Sequence, residues 1–149
     1  MKYMHLFLLH RYSHLPQANN LTENNSGGIH LSNSRCKIRN TLIVNNEFHG
    51  LYLKNGSDAE FINVTIANNE WGGYAIDSDP YFRNVIIRDN GIGHGFMFFT
   101  DSNPILENVN IFNNEADVKG GGICSISSST FTFLNSILWG NKYRYMAWK

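Results

Sequence analysis

The chain has 149 residues with 12 basic and 12 acidic side chains, so no net charge or basic arm marks a nucleic-acid partner. No apolar run approaches the ~20 residues of a bilayer-spanning helix. Two cysteines are too few for a disulfide framework, and neither CxxC nor HExxH spacing marks a metal site. Aromatic residues make up 13% of the chain, enough for a real core, whereas charged residues make up only 16%. Asparagine fills the gap, with 21 copies against 3 Pro and 13 Gly. Asn is weak inside helices and strands and strong in turns, so this composition predicts many turns around a normal core.

Residues 1–18 come first. "MKYMHLFLLHRYSH" has a lysine and a short apolar run, as a signal peptide does, but His5 and His10 interrupt it and no small-residue cleavage site follows. The segment is expected to be an N-terminal cap, helical or irregular, or a degenerate signal segment. Next comes "NNLTENN", Asn19 to Asn25, a weak repeat unit. Five clear units follow: "SRCKIRNTLIVNN", "SDAEFINVTIANN", "SDPYFRNVIIRDN", "SNPILENVNIFNN" and "STFTFLNSILWGN". Each opens on Ser: Ser34, Ser57, Ser78, Ser102, Ser129. Asn recurs six residues on, at Asn40, Asn63, Asn84, Asn108 and Asn135, and twelve on, at Asn46, Asn69, Asn90, Asn114 and Asn141. Successive units are spaced by 23, 21, 24 and 27 residues, and a Gly-led apolar segment such as "GGIHL" or "HGLYL" precedes each Ser.

Each unit is too short for two useful helices, and its apolar residues alternate with period two, as in Val64-Thr65-Ile66. Short strands repeating about every 23 residues predict a solenoid whose coils stack as a parallel sheet, about 4.8 Å apart, along a right-handed path. The expected fold is therefore all-β: a right-handed parallel β-helix of five to six coils over residues 19–141, with 142–149, "KYRYMAWK", as a tail. In this register Ile29, Leu51, Tyr74, Phe96 and Ile123 point inward, as do Leu31, Leu53, Ile76 and Phe98. His30, Tyr52, Ala75, Met97 and Cys124 then point outward. The Ser and Asn columns are expected at bends, tying coil to coil. Cys36 and Cys124 fall four coils apart, about 19 Å by coil rise, too far for a disulfide, and are expected as free thiols.

These repeats resemble the right-handed β-helix units of the pectin lyase-like superfamily. The closer likeness is to secreted and surface repeat proteins with an S-x-P-x-I-x-N-x-x-I-x-x-N pattern, which "SDPYFRNVIIRDN" and "SNPILENVNIFNN" match best. The resemblance implies an extracellular or cell-surface location. The shared residues are the structural ones, so it is specific for fold and weak for function.

Gly93-His94-Gly95 looks like the Gly-His-Gly of the polygalacturonase-like branch, where the His works beside aspartates on N-x-D and D-D. This chain has neither motif. A glycosidase needs paired carboxylates, one to protonate the leaving oxygen and one to act on the opposite side. His94 is therefore a weak catalytic candidate and is expected as an exposed residue on a turn, in one column with His49. Asp58 and Asp79 share a column, as do Asp77 and Asp101, and aligned carboxylates are the ligands that calcium takes. Asx-turn chemistry explains the same residues, so no cofactor is expected and calcium is the alternative. Outward rings, Tyr52 with His49 and His94 on one side and Phe112 with Trp139 on another, are candidates for polysaccharide binding. Four N-x-[ST] motifs, at Asn20, Asn24, Asn55 and Asn63, discriminate nothing, because Asn63 belongs to a structural column. The leading expectation is a non-catalytic repeat module that acts as a scaffold or binds a polysaccharide or partner. A polysaccharide lyase or hydrolase, and an adhesin or autotransporter passenger fragment, are the alternatives. Adjoining coils of a longer protein are a further expected partner.

Overall fold

The computed structural model describes residues 6–8, 20–22, 26–117 and 120–143. Their strands are β1 (Leu6–Leu8), β2 (Asn20–Thr22), β3 (Ile29–Ser32), β4 (Lys37–Val44), β5 (His49–Lys54) and β6 (Glu60–Ala67). Then come β7 (Trp71–Ile76), β8 (Tyr81–Arg83), β9 (Ile86–Arg88), β10 (Phe96–Phe99), β11 (Ile105–Glu107) and β12 (Asn110–Phe112). The last are β13 (Glu115–Ala116), β14 (Ile123–Ser125), β15 (Thr132–Leu134), β16 (Ile137–Trp139) and β17 (Lys142–Tyr143). Every strand pairing is parallel, and one sheet runs β1-β3-β5-β7-β10-β14, one strand per coil. The second sheet joins β2, β4 and β6 and then divides, β8-β11-β15 on one side of a corner and β9-β12-β16 on the other. This is the parallel β-helix that the repeat predicts.

Asparagine shapes the corners. Asn40, Asn63, Asn84, Asn108 and Asn135 all have positive φ, from 46° to 55°. So do Asn45, Asn68, Asp89 and Asn113 at the next corner, with Gly140 closing that column. Asn and Asp tolerate the left-handed region because their short polar side chains bond locally. The twelfth-position asparagines lie inside. The backbone N–H of Asn46 and its Nδ2 both donate to Asn69 Oδ1, at 3.0 and 2.8 Å. The same double link joins Asn69 to Asn90, Asn90 to Asn114 and Asn114 to Asn141. Serine makes a parallel ladder: the N–H groups of Ser34, Ser57, Ser78 and Ser102 each donate to the Oγ of the next Ser.

The core between these ladders is filled by fully buried Leu31, Leu53, Phe61, Phe82, Phe96 and Phe98, with Ile43, Ile66, Ile87 and Ile111 in one column. Phe61 and Phe82 stack at 5.0 Å, and Phe96 meets Phe82 edge-on at 5.3 Å.

The third coil corrects the expected register. The inward column runs Ile29, Leu51, Gly73, Phe96, Ile123, and its neighbour carries Ala75 beside Leu53 and Phe98. Tyr74 and Ile76, expected inside, fall in the outward columns with Tyr52 and Lys54. Two residues separate Asn46 from His49, but only one separates Asn69 from Trp71, the residue paired with His49. A one-residue slip turns every side chain of a strand to the other face. Core volume explains why the slip is tolerated: a Cβ on Gly73 would lie 2.1 Å from the Phe96 ring, so Phe96 fills the space that Gly73 leaves.

Strands are present within both terminal segments. Leu6–Leu8 pairs with Ile29–Leu31 and so adds a strand within the segment expected to cap, while β17 carries the coil to Tyr143. The rest of 1–18 and the tail beyond Tyr143 lie outside the described residues.

Two measurements check this account by urea denaturation. Asn69→Ala strands the two buried donors of Asn46 and is expected to cost about 2–4 kcal/mol, while Asn63→Gly at the exposed corner changes stability by less than about 1 kcal/mol. Gly73→Ala overpacks Phe96 and is expected to cost about 1–3 kcal/mol. In the Phe96→Leu background that cost shrinks, and strict additivity in the double-mutant cycle would contradict the packing.

Candidate functional site

The outward face of the β3-β5-β7-β10-β14 sheet carries the densest polar and aromatic cluster. Its central column is His30, Tyr52, Tyr74, Met97, Cys124, since Tyr74 replaces the expected Ala75. The neighbouring column runs His49, Trp71, His94. The His49 ring is 5.3 Å from Tyr52, 5.4 Å from Trp71 and 6.0 Å from Tyr74. Tyr52 and Tyr74 stack at 5.9 Å, and Tyr74 stacks on Phe99 at 6.3 Å. Lys54 Nζ lies 5.7 Å from the centre of the Tyr52 ring, within cation–π range.

Tyr52, Tyr74 and Phe99 stack ring on ring, whereas His30 meets Tyr52 edge-on and His49 is tilted against both tyrosines. The arrangement opens at its N-terminal end. There Ser26, Gly28 and His30 with Phe48, His49 and Tyr52 line a partly open cavity of about 360 Å3, mostly apolar in lining. That volume suits a small ligand. Phe48 is exposed at its rim. The bare backbone of Gly27 and Gly28 forms part of the lining.

His94 corrects a second expectation. It is only 1% exposed rather than standing out on a turn. The Trp71 ring meets it edge-on at 5.7 Å, and its Nδ1 lies 3.0 Å from the Gly120 carbonyl oxygen, which places the proton on Nδ1. The last clear coil, spaced by 27 residues, supplies the cover: Glu115 O accepts the His94 N–H and Ala116 bridges to Gly93. Burial holds the His94 imidazole below the ordinary histidine pKa, against the opposing pull of the Gly120 carbonyl. Burial, with the charge of His30, lowers His49 as well. Burial pushes the Tyr74 phenol up, as do Tyr52 and Cys124.

The other candidates lie elsewhere. Phe112 and Trp139 stack at 5.5 Å on the β9-β12-β16 face, with Trp139 57% exposed. Asp58 Oδ1 accepts the Asp79 N–H at 2.9 Å, and Asp79 Oδ1 accepts the Asn103 N–H at 2.6 Å. Asp58 also pairs with Arg35 at 3.0 Å. Asp77 and Asp101 occupy positive-φ corner positions. Among the described residues no three His, Cys, Asp or Glu side chains converge as a metal site would require. Cys36 and Cys124 are free thiols. Among the described residues no helix is long and apolar enough to cross a membrane.

The structure thus brings together Tyr52 and His49, keeps His94 beneath Trp71, and separates Phe112 and Trp139 from all of them. Tyr74, Trp71 and Phe48 are the cluster residues that the sequence reading missed. The shortened turn before Trp71 was the available signal.

The family described as right handed beta helix region matches residues 14–148. The chain belongs to this family, and as a repeat module its class is that of the parallel β-helix solenoids. No curated protein and no solved structure matches it.

Stability should follow the two lowered imidazoles. The fold favours their neutral forms, so the unfolded chain binds more protons below about pH 6.5. Their contribution is fully present above that pH and is lost as pH falls through their lower folded values. The urea midpoint is expected to fall between pH 7 and pH 5, and His94→Asn, which tolerates positive φ, should flatten part of the fall. A midpoint that rises on acidification contradicts the assignment.

Proposed function

We propose that this chain is a non-catalytic β-helix module of an extracellular or cell-surface protein, and that it binds a linear polysaccharide along its aromatic face. The observation that carries this reading is the cavity walled by Phe48, His49 and Tyr52 at the end of a ladder with about one ring per coil. A pyranose ring has an apolar C–H face and a polar rim. The cavity meets the first with aromatic carbon, and the ladder meets the second with the Tyr52 and Tyr74 hydroxyls and with His30 and His49. The coil rise of about 4.8 Å is comparable to the length of one sugar unit, so successive coils address successive units. Among the described residues those lining the cavity include no carboxylate, which favours binding over acid–base cleavage of the glycosidic type.

Affinity electrophoresis against a panel of plant, algal and bacterial polysaccharides tests this. A retarding polysaccharide is expected, with Tyr52→Ala and Phe48→Ala each weakening retention about tenfold or more, the loss of one well-placed aromatic contact. Thr132→Ala on another face should leave retention unchanged. Retention that survives both aromatic substitutions would place binding elsewhere. Cleavage of the polysaccharide by the wild-type chain would overturn the non-catalytic reading.

A further inference from the structure

The C-terminal end of the solenoid carries the same contact pattern that joins one coil to the next. Leu138 occupies the inward column of Ile43, Ile66, Ile87 and Ile111. Those four are 0% exposed, whereas Leu138 is 51% exposed. In each internal step the glycine corner is closed by the following coil. A Cβ on Gly28, Gly50, Gly72 or Gly95 would meet the carbonyl oxygen of Gly50, Gly72, Gly95 or Gly122 within 2.7 Å. At Gly122 the nearest atoms belong instead to Leu138 and Asn141 of its own coil. A cavity of about 330 Å3 lies there, lined by Gly121, Gly122, Ile123, Leu138, Gly140 and Asn141. Among the described residues Asn141 is the last rung of the amide ladder, and β14, β15, β16 and β17 each pair on one side only.

The opposite end carries the complementary pattern. β1 and β2 also pair on one side only among the described residues. The pairing of Asn20 with Thr41 sets an offset of 21 residues. Counted in sequence by that offset, Ser13, Asn19 and Asn25 precede Ser34, Asn40 and Asn46, so "SHLPQANNLTENN" is a further copy of the unit. In a second copy an Asn counted to that position would offer its oxygen to the Asn141 N–H and to the Nδ2 that already donates to Ile111 O at 3.0 Å.

We infer that the C-terminal end is a docking surface for the N-terminal coil of a second copy of this chain, stacked head to tail in continuous parallel register. Such an interface is heterologous and does not close, so it repeats and generates a filament one solenoid wide. It adds strands to open edges and buries Leu138 against the next core. It uses neither the aromatic face nor the cavity at Phe48, and so stands independently of the proposed glycan site.

The test joins sedimentation velocity with a cross-link. Over about 1–100 µM, a range around typical protein–protein affinities, the mass of the full chain is expected to rise with concentration. Leu138→Lys should weaken association tenfold or more and leave the circular dichroism of the monomer unchanged, because Leu138 is already exposed there. In a stacked pair Ile137 of one copy lies opposite Leu21 of the next, in the column Leu21, Leu42, Thr65, Ile86, Asn110, Ile137. Adjacent strands lie within disulfide reach. Leu21→Cys with Ile137→Cys, in a Cys124→Ser background, should give a ladder of covalent oligomers on a non-reducing gel, and either cysteine alone should stop at dimer. A chain that stays monomeric and forms no ladder overturns the inference and assigns the end to cover by the chain's own residues. Association indifferent to Leu138→Lys overturns it as well.

Discussion

In each coil-to-coil step from Asn46 to Asn141 one asparagine oxygen takes two N–H donors, a backbone amide and a side-chain amide, from the coil before it. The Nδ2 of the accepting residue also reaches back to a core-strand carbonyl: Asn69 to Ile43, Asn90 to Ile66, Asn114 to Ile87. A corner that turns the chain inward would otherwise bury several polar groups without partners, each costing about 1–3 kcal/mol. The ladder satisfies them with one residue type at one position. Because each rung needs the next, the ladder also fixes the vertical register of the strands on either side of it. The serine column does the same at another corner, through Oγ rather than an amide.

These demands explain how much could be read in advance. Residues that recur because a corner requires them were legible: the inner asparagines, the serines, and the exposed asparagines whose positive φ few other side chains tolerate. From them followed the strands, the parallel pairing and most of the core. The errors sit where one coil departs from its neighbours. A turn shorter by one residue before Trp71 moved Tyr74 from core to surface, and only the complementary volumes of Gly73 and Phe96 reveal it. A longer last turn buried His94. Both are tertiary effects of local length changes, which pattern matching absorbs without notice. The aromatic cluster was therefore half visible: Tyr52 and His49 were found, while Trp71, Tyr74 and Phe48 were not.

The same geometry separates three roles along the molecule. Corners hold the coils, the interior supplies apolar burial, and one outward face is left to gather rings and imidazoles. The Gly-His-Gly stretch belongs to the first two roles, since its glycines pass the chain close to the next coil and its imidazole packs under Trp71. The aspartates at the far corner likewise accept backbone N–H groups from coil to coil. Chemistry that looks catalytic in one dimension is distributed over turns in three.

The central claim is that the inner asparagines, not the outer ones, bind the coils together. Hydrogen exchange of side-chain amides, followed by NMR, tests it residue by residue. The Nδ2 protons of Asn46, Asn69, Asn90 and Asn114 should exchange as slowly as the amides of β4 and β6, while those of Asn63 and Asn84 on the exposed corner exchange rapidly. Equal, rapid exchange in both sets would contradict the account.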